Sequence, residues 1–187
     1  NEGVWYQEPD LKVMGIEAVR SSTPKVCRDA IEQLIKVIMS SDESSTQAEI
    51  ERFRKHFHSL EYDEIAFPRG LNGLNKYHDS VTIFKSGCPV HVRGALSFNH
   101  FISKIKGKKP QPVRDREKVK WCYLKTPNPT GQNVIAVPQG LPKSLALDKY
   151  IDYDLMFQRT YLDAVNNILG KIGWEAEKRY RIGAFFE

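Results

Sequence analysis

Two aspartates, Asp152 and Asp154, are the first residues whose type and spacing suggest catalysis, because paired carboxylates can hold two metal ions. On a helix, however, residues two apart point about 200° away from each other. Two catalytic metals, about 3.5–4 Å apart, require carboxylates that converge. His56 and His58 fail as a ligand pair for the same reason. The sequence also lacks a G-x-S-x-G elbow and a glycine-rich phosphate cradle, so we predict no catalytic residue, metal site or cofactor site in this chain.

Basic residues around position 90 suggest phosphate binding instead. The stretch FKSGCPVHVRG places Lys85, His91 and Arg93 around a predicted helix start, where free backbone N–H groups favour anions. Arg69 and Lys76 lie nearby in sequence, among Asn, Gly and Tyr residues. Such side chains would hold a nucleic-acid backbone without reading its bases. The competing interpretation is that Arg93 forms an ion pair with a carboxylate elsewhere in the fold.

A second basic stretch runs from Lys104 to Lys120, in which Asp115 and Glu117 are the acidic residues. Its two prolines predict a mobile loop. A solvated loop and a loop that contacts DNA both fit this pattern.

The C-terminal sequence IGAFFE forms a separate hydrophobic group. One helical turn would place Ile182, Phe185 and Phe186 on the same side. These side chains could enter a groove on a partner, or the tail could fold back onto the chain's own core.

The overall composition is that of a globular protein, with 187 residues, 41% of them hydrophobic and 27% charged. The formal net charge of +5 favours a polyanionic partner. Three cysteines without a CxxC pair predict a reduced, intracellular protein. Because no apolar run approaches the ~18 residues that span a bilayer, we expect a cytoplasmic protein with no membrane partner.

In the N-terminal third, the pattern predicts a strand followed by two helices. Residues Leu11 to Val19 alternate as a strand. Thr23-Pro24 suits a helix start, and apolar residues then recur with helical period. After a polar break at 40–45, Thr46-x-x-Glu49 has the form of a capping box that opens the second helix. The short break predicts a helical hairpin.

Further along the chain, three short strands are predicted, at Tyr62–Phe67, Val119–Leu124 and Val134–Val137. A loop is predicted at 68–80 and a third helix from Pro89. The longest helical pattern runs over 145–172 and is ended by Gly173. The predicted fold class is therefore α+β and mainly helical, with a helical hairpin, a small β element and a long C-terminal helix.

Several motifs resemble family B DNA polymerases, and most closely the replicative polymerases of T-even-type bacteriophages. Lys12, MGIE at 14–17 and SSTPK at 21–25 are similar to the end of the palm and the start of the thumb. CPVHVRGALSF at 88–98, preceded by Lys85, resembles a second family motif, and LNKYHD, which holds Lys76 and Tyr77, a third. The C-terminal residues resemble the family's clamp-binding tail. The similarity runs in order along almost the whole chain.

This resemblance implies that the whole protein is a DNA-directed DNA polymerase. The catalytic aspartates, with two Mg²⁺ ions and dNTP substrates, are then expected N-terminal to this stretch, as are the fingers and exonuclease domains. The implied divisions are a palm end at 1–22, a thumb at 23–177 and a clamp-binding tail at 178–187. By itself the chain should be non-catalytic and should grip primer–template duplex DNA behind the active site, in an infected bacterial cell.

The resemblance also implies roles for individual residues. Asp163 stands where relatives carry lysine, which weakens the expected contact there. The implied clamp-binding residues are Ile182, Phe185 and Phe186. The implied DNA-binding residues are Lys12, Lys76, Lys85, His91, Arg93 and Arg159.

Two other classes of function remain open from the sequence. One is a free-standing basic DNA-binding or adaptor domain with no polymerase upstream. The other is a protein-interaction module whose positive charge is incidental. A split polymerase gene, with this part made as its own polypeptide, is a further possibility, and the sequence upstream of residue 1 would distinguish these cases.

Overall fold

The computed structural model describes residues 12–14, 20–77 and 87–178. Its α-helices are α1 (Lys25–Ser40), α2 (Glu43–Phe57), α3 (Tyr62–Ile65), α4 (Val90–Ser103), α5 (Tyr153–Phe157) and α6 (Asp163–Leu169). Strands β1 (Phe67–Gly70), β2 (Lys118–Tyr123) and β3 (Val134–Val137) form an antiparallel sheet in the order β1-β2-β3. Short 3-10 turns lie at Leu74–Lys76, Lys143–Leu145 and Asp148–Tyr150. The predicted α+β class, mainly helical, is confirmed.

Helices α1 and α2 pack against each other and are joined by only two residues, Ser41 and Asp42. The Asp42 carboxylate accepts a hydrogen bond from the backbone N–H of Ser45 at 2.8 Å, so α2 begins at Glu43. The prediction that Thr46 opens this helix was wrong. Thr46 is buried in the first turns, and its hydroxyl donates to the Asp42 carbonyl at 3.0 Å.

The predicted strand at 62–67 was also wrong, because residues Tyr62–Ile65 form the helical turn α3. Glu61 and Glu64 form a reciprocal capping box around this turn. The strand begins only at Phe67 and continues through Gly70, into the segment predicted as a loop. Local capping therefore prevails over the alternating pattern of apolar residues.

Helix α4 lies directly on β3, and Gly94 makes this close approach possible. A Cβ atom at position 94 would lie 2.9 Å from the backbone of Ile135 and Ala136. The helix begins after Pro89, as predicted, and the two strands predicted near 119 and 134 are observed as β2 and β3. The N-terminal turn of α4 is thereby fixed relative to the sheet.

The C-terminal helix is continuous over 153–169, shorter than the predicted 145–172, because residues 143–150 form two 3-10 turns. Its middle, Gln158–Leu162, is a π-helix between α5 and α6. Phe157 and Tyr161 pack on Phe53 and Phe57 of α2, with ring centroids 4.6–6.0 Å apart. This aromatic cluster joins the hairpin to the C-terminal helix.

Some predictions fall on residues outside the described ranges. The strand at 11–19 is one, since only residues 12–14 of it are described and they adopt no regular structure. Lys85 and the tail residues Ile182, Phe185 and Phe186 are others. Within the described part of the chain, no helix has the length and apolar character needed to cross a bilayer.

Candidate phosphate-binding site

A cleft of about 280 Å³ opens beside the start of α1, where strands β1 and β2 meet the π-helix. Three arginines from separate parts of the chain line it, together with a few polar and aromatic side chains. We call this the arginine cleft, and its main lining residues are Arg20, Ser22, Arg69, Trp121, Arg159 and Asn167. A concave site lined by several guanidinium groups is suited to binding phosphate.

Arg159 reaches the arginine cleft from the π-helix. Its Nη1 lies 3.3 Å from Oδ2 of Asp163, and both side chains are substantially exposed. Asp163 also accepts a hydrogen bond from Nε2 of Gln158 at 2.6 Å. Because an exposed ion pair contributes only about 0–1 kcal/mol, Arg159 can exchange Asp163 for a phosphate at little cost. The carboxylate of Asp163 nevertheless reduces the positive charge of the cleft.

Arg69 lies on β1, opposite Val119 of β2. Two residues earlier on the same strand, Phe67 stacks on Trp121, with ring centroids 4.6 Å apart. Both rings of this stacked pair line the arginine cleft, as Arg69 does. The backbone position of Arg69 is therefore determined by strand pairing and not by a loop.

His91 and Arg93 lie in the first turn of α4, and His91 is near enough to Arg69 to be affected by its charge. Burial lowers the pKa of the His91 imidazole, and the charge of Arg69 lowers it further. Burial also raises the pKa of the Cys88 thiol, an effect that the nearby Arg93 charge opposes. The effect of Arg69 on His91 connects the start of α4 to the arginine cleft.

Arg93 is half-buried, and its Nε, which is itself buried, has no hydrogen-bond partner among the described residues. Across residues 12–14, 20–77 and 87–178, no carboxylate forms an ion pair with Arg93 or Arg69. The competing interpretation, in which a carboxylate neutralises Arg93, therefore has no support in this part of the chain. Neither guanidinium is neutralised by a carboxylate among the described residues.

Of the other predicted DNA-binding residues, Lys76 and Lys12 lie within the described ranges and Lys85 does not. Lys76 is exposed on a 3-10 turn that packs against α4. Lys12 is exposed in the short N-terminal described segment. The sequence did not identify Arg20, Trp121 or Asn167. Arg20 and Trp121 approach Arg159 only through the tertiary fold, whereas Asn167 lies further along the same helix.

Asp152 and Asp154 have structural roles, as their helical spacing predicted. The carboxylate of Asp152 accepts a hydrogen bond from the backbone N–H of Leu155 at 3.1 Å and caps α5. Asp154 lies on the exposed side of that helix, with Oδ1 3.3 Å from Nε2 of His58. Among the residues that the structure describes, no group of three or more His, Cys, Asp or Glu side chains could hold a metal ion.

Two curated proteins match this chain along nearly its whole length. The DNA-directed DNA polymerase of Enterobacteria phage T4 is 33% identical over 186 residues, which cover 97% of the chain. The DNA-directed DNA polymerase of Escherichia phage RB69 is 33% identical over 192 residues and covers 100% of it. The chain is homologous to one segment of the phage DNA polymerases. This confirms the resemblance to T-even-type phage polymerases.

The homologous segment is a small part of these phage DNA polymerases. The chain spans about a fifth of their length, 20% of the first and 21% of the second. No family model matches the chain. The arginine cleft and the start of α4 thus lie in a segment that is homologous to part of a DNA-directed DNA polymerase.

Proposed function

We propose that this chain is the part of a DNA-directed DNA polymerase that grips the primer–template duplex behind the active site. The observation that carries the proposal is the convergence of Arg69, Arg159 and the start of α4 on one side of the fold. Arg69 and Arg93 form no ion pair with the described carboxylates, and Arg159 has only an exposed one. A duplex phosphate would supply the missing negative charge.

Phosphate contacts suit this role physically. A polymerase has to hold DNA of any sequence, and contacts to the sugar–phosphate backbone carry no direct sequence information. Arginine donors also bind phosphate oxygens in a bidentate geometry. In this proposal the arginine cleft and Arg93 hold the backbone, Lys76 adds a peripheral contact, and His91 donates a hydrogen bond. Lys12 and Lys85 approach the duplex from the residues before α1 and before α4.

The proposed division follows the homology to the phage polymerases. Residues 1–22 complete the palm, residues 23–177 form the thumb, and residues 178–187 form a tail that binds a sliding clamp. Nucleotide addition, with two Mg²⁺ ions and dNTPs, belongs to palm and fingers domains upstream, and the exonuclease also lies there. The protein works in the cytoplasm of an infected bacterial cell.

Contacts just before the tail support a tethering role. Nε2 of Gln47 donates to the Glu175 carbonyl at 2.9 Å, and the backbone N–H of Glu175 donates to Oε1 of Glu43 at 2.7 Å. Arg54 forms an ion pair with Glu177. The chain is thus fastened to α2 immediately before residue 178. A tail that leaves from a fixed point raises the local concentration of a tethered partner.

Duplex binding by the 187-residue chain, measured across a salt series, tests the proposal. The double variant Arg69→Gln/Arg93→Gln should bind duplex DNA about tenfold more weakly, and the salt slope should fall by about two, close to one for each phosphate that is no longer neutralised. The control is Lys36→Gln/Lys55→Gln, which removes the same charge from exposed positions on α1 and α2. Circular dichroism melting establishes that each variant is folded.

Three results would overturn the proposal. The first is an affinity that stays constant from low to high salt, and the second is an affinity that is equal in the Arg69/Arg93 variant and the wild type. The third is nucleotide incorporation by the 187-residue chain alone, since no group of three or more His, Cys, Asp or Glu side chains among the described residues could hold a metal ion.

A further inference from the structure

A second set of cations lies on the segment that joins α4 to β2. We call residues 104–118, which end in the first residue of β2, the basic loop. Its cations are all exposed, and none forms an ion pair with a carboxylate in the described part of the chain. They are Lys104, Lys106, Lys108, Lys109, Arg114, Arg116 and Lys118.

The two carboxylates of the basic loop accept hydrogen bonds from backbone N–H groups and, among the described residues, form no ion pair with the cations of the loop. Oδ1 of Asp115 accepts a hydrogen bond from the backbone N–H of Leu74 at 2.9 Å. Oε2 of Glu117 accepts one from the backbone N–H of Arg114 at 2.9 Å. Both acids are therefore already engaged in fixing the shape of the loop, and the positive charge around them faces solvent.

The basic loop has a defined conformation. The Asn99 side chain forms two hydrogen bonds with the backbone of Val113, at 2.7 and 2.8 Å, and the Val113 side chain is buried. Leu71 exchanges two backbone hydrogen bonds, of 2.8 Å each, with Arg116 and Glu117. The sequence predicted a mobile loop, but these contacts hold it against α4 and the segment after β1. A preformed surface loses less conformational entropy when it binds a ligand.

Both ends of the basic loop are joined to elements of the proposed phosphate-binding site. Helix α4 carries Arg93 in its first turn and ends at Ser103, which at 1.5 Å per residue places the loop roughly 15 Å further along the helix axis. At the other end, Lys118 pairs with Gly70, the residue after Arg69. Half a turn of duplex DNA is about 17 Å long, so one duplex can reach both regions.

We propose that the basic loop is a second phosphate-binding surface, which extends the duplex DNA footprint beyond the arginine cleft. This inference rests on the proposed function, because it takes the same duplex as the ligand. The composition favours nucleic acid over a protein partner. Lysine is depleted in protein–protein interfaces, which have an apolar core, whereas the exposed residues of this loop are mainly Lys and Arg.

The test compares two triple variants of the chain that remove equal charge. Lys106→Gln/Lys108→Gln/Lys118→Gln alters the basic loop, and Lys36→Gln/Lys55→Gln/Lys171→Gln alters exposed lysines elsewhere. The probe is a duplex of about 20 base pairs, long enough to cover both regions at 3.4 Å per step. We expect the loop variant to bind at least about tenfold more weakly, with a salt slope lower by about two to three, and the control to stay within about twofold of wild type.

The outcomes separate this inference from the proposed function. A loop variant with wild-type duplex affinity would overturn the inference, whatever the Arg69/Arg93 variant does. If the loop variant weakens binding while the Arg69/Arg93 variant does not, the inference stands and the proposed grip by the arginine cleft fails. Poly-glutamate that competes with the duplex at equal charge concentration would show general attraction of polyanions and would also overturn the inference.

Discussion

Arg69 on β1 lies beside His91 on the first turn of α4. Burial lowers the pKa of the His91 imidazole, and the Arg69 guanidinium lowers it further, so both residues contribute to one electrostatic environment. The relationship joins the strand that lines the arginine cleft to the helix that carries Arg93. Both effects favour the uncharged form of His91.

Replacing Arg69 by Gln should raise the pKa of His91 towards its ordinary value of about 6.5. At a pH between the lowered pKa of folded His91 and about 6.5, the unfolded chain binds more protons than the folded chain. The contribution of His91 to stability is thus present above pH 6.5 and is lost as the pH falls. Arg69→Gln should reduce this loss. An NMR titration of the histidine ring measures the pKa, with Lys36→Gln as the control, and an unchanged His91 pKa would contradict the relationship.

Arg159 and Asp163 should affect DNA binding in opposite directions. Asp163→Asn removes the carboxylate that faces Arg159 and can still accept the hydrogen bond from Gln158. We expect it to strengthen duplex binding several-fold and to steepen the salt dependence, by leaving one more cation for phosphate. Arg159→Gln should weaken binding and flatten the salt dependence. Fluorescence anisotropy with a labelled duplex measures both, and changes of the same sign in the two variants would contradict a role for Arg159.

Gly94→Ala should destabilise the fold, although alanine is the better helix former. The new Cβ would lie 2.9 Å from the backbone of β3, which cannot move aside as a flexible side chain could. We expect a loss of about 1–3 kcal/mol in the free energy of unfolding, measured in urea. Gly70→Ala is the matched control, because no atom of the described residues lies within 4 Å of its added Cβ. Equal stability of the two variants would show that α4 does not pack on β3 as described.

Two buried tyrosines should respond differently to loss of the hydroxyl group. The Tyr62 hydroxyl donates a hydrogen bond to the Lys120 carbonyl, whereas the buried Tyr161 hydroxyl has no hydrogen-bond partner in the described part of the chain. Tyr62→Phe should therefore lower the free energy of unfolding by about 1–2 kcal/mol, and Tyr161→Phe should be neutral or stabilising. Thermal unfolding compares them directly. A larger loss for Tyr161→Phe than for Tyr62→Phe would contradict these hydrogen-bonding assignments.

Local sequence patterns predicted several elements well and others poorly. Helix α4 and strands β2 and β3 were predicted because Pro89 and the runs of apolar residues determine them locally. The strand at 62–67 and the start of α2 were wrong, since caps from Glu61, Glu64 and Asp42 decide those boundaries. The π-helix around Arg159 has no periodic signature in the sequence and was not predicted.

Some residues of the candidate site were also predicted from the sequence, and others were not. Arg93 and His91 were predicted because both lie within one motif, at a helix start that the sequence itself marks. Arg20 and Trp121 were not, because they meet Arg159 only when the strands pair and the C-terminal helix packs on the hairpin. The division of the chain into palm, thumb and tail, and the clamp-binding residues, stay predictions.

The sequence alone determined the helical and strand segments whose apolar periodicity and caps are local, and the homology to a segment of phage DNA polymerases. Only the tertiary structure decided which cations are neutralised and which stay available. An ion pair depends on distances between side chains that lie far apart in the chain, and those distances follow from packing. Asp163 is thus a partner for Arg159, while Asp115 and Glu117 form no ion pair, among the described residues, with the basic side chains beside them, Arg114, Arg116 and Lys118.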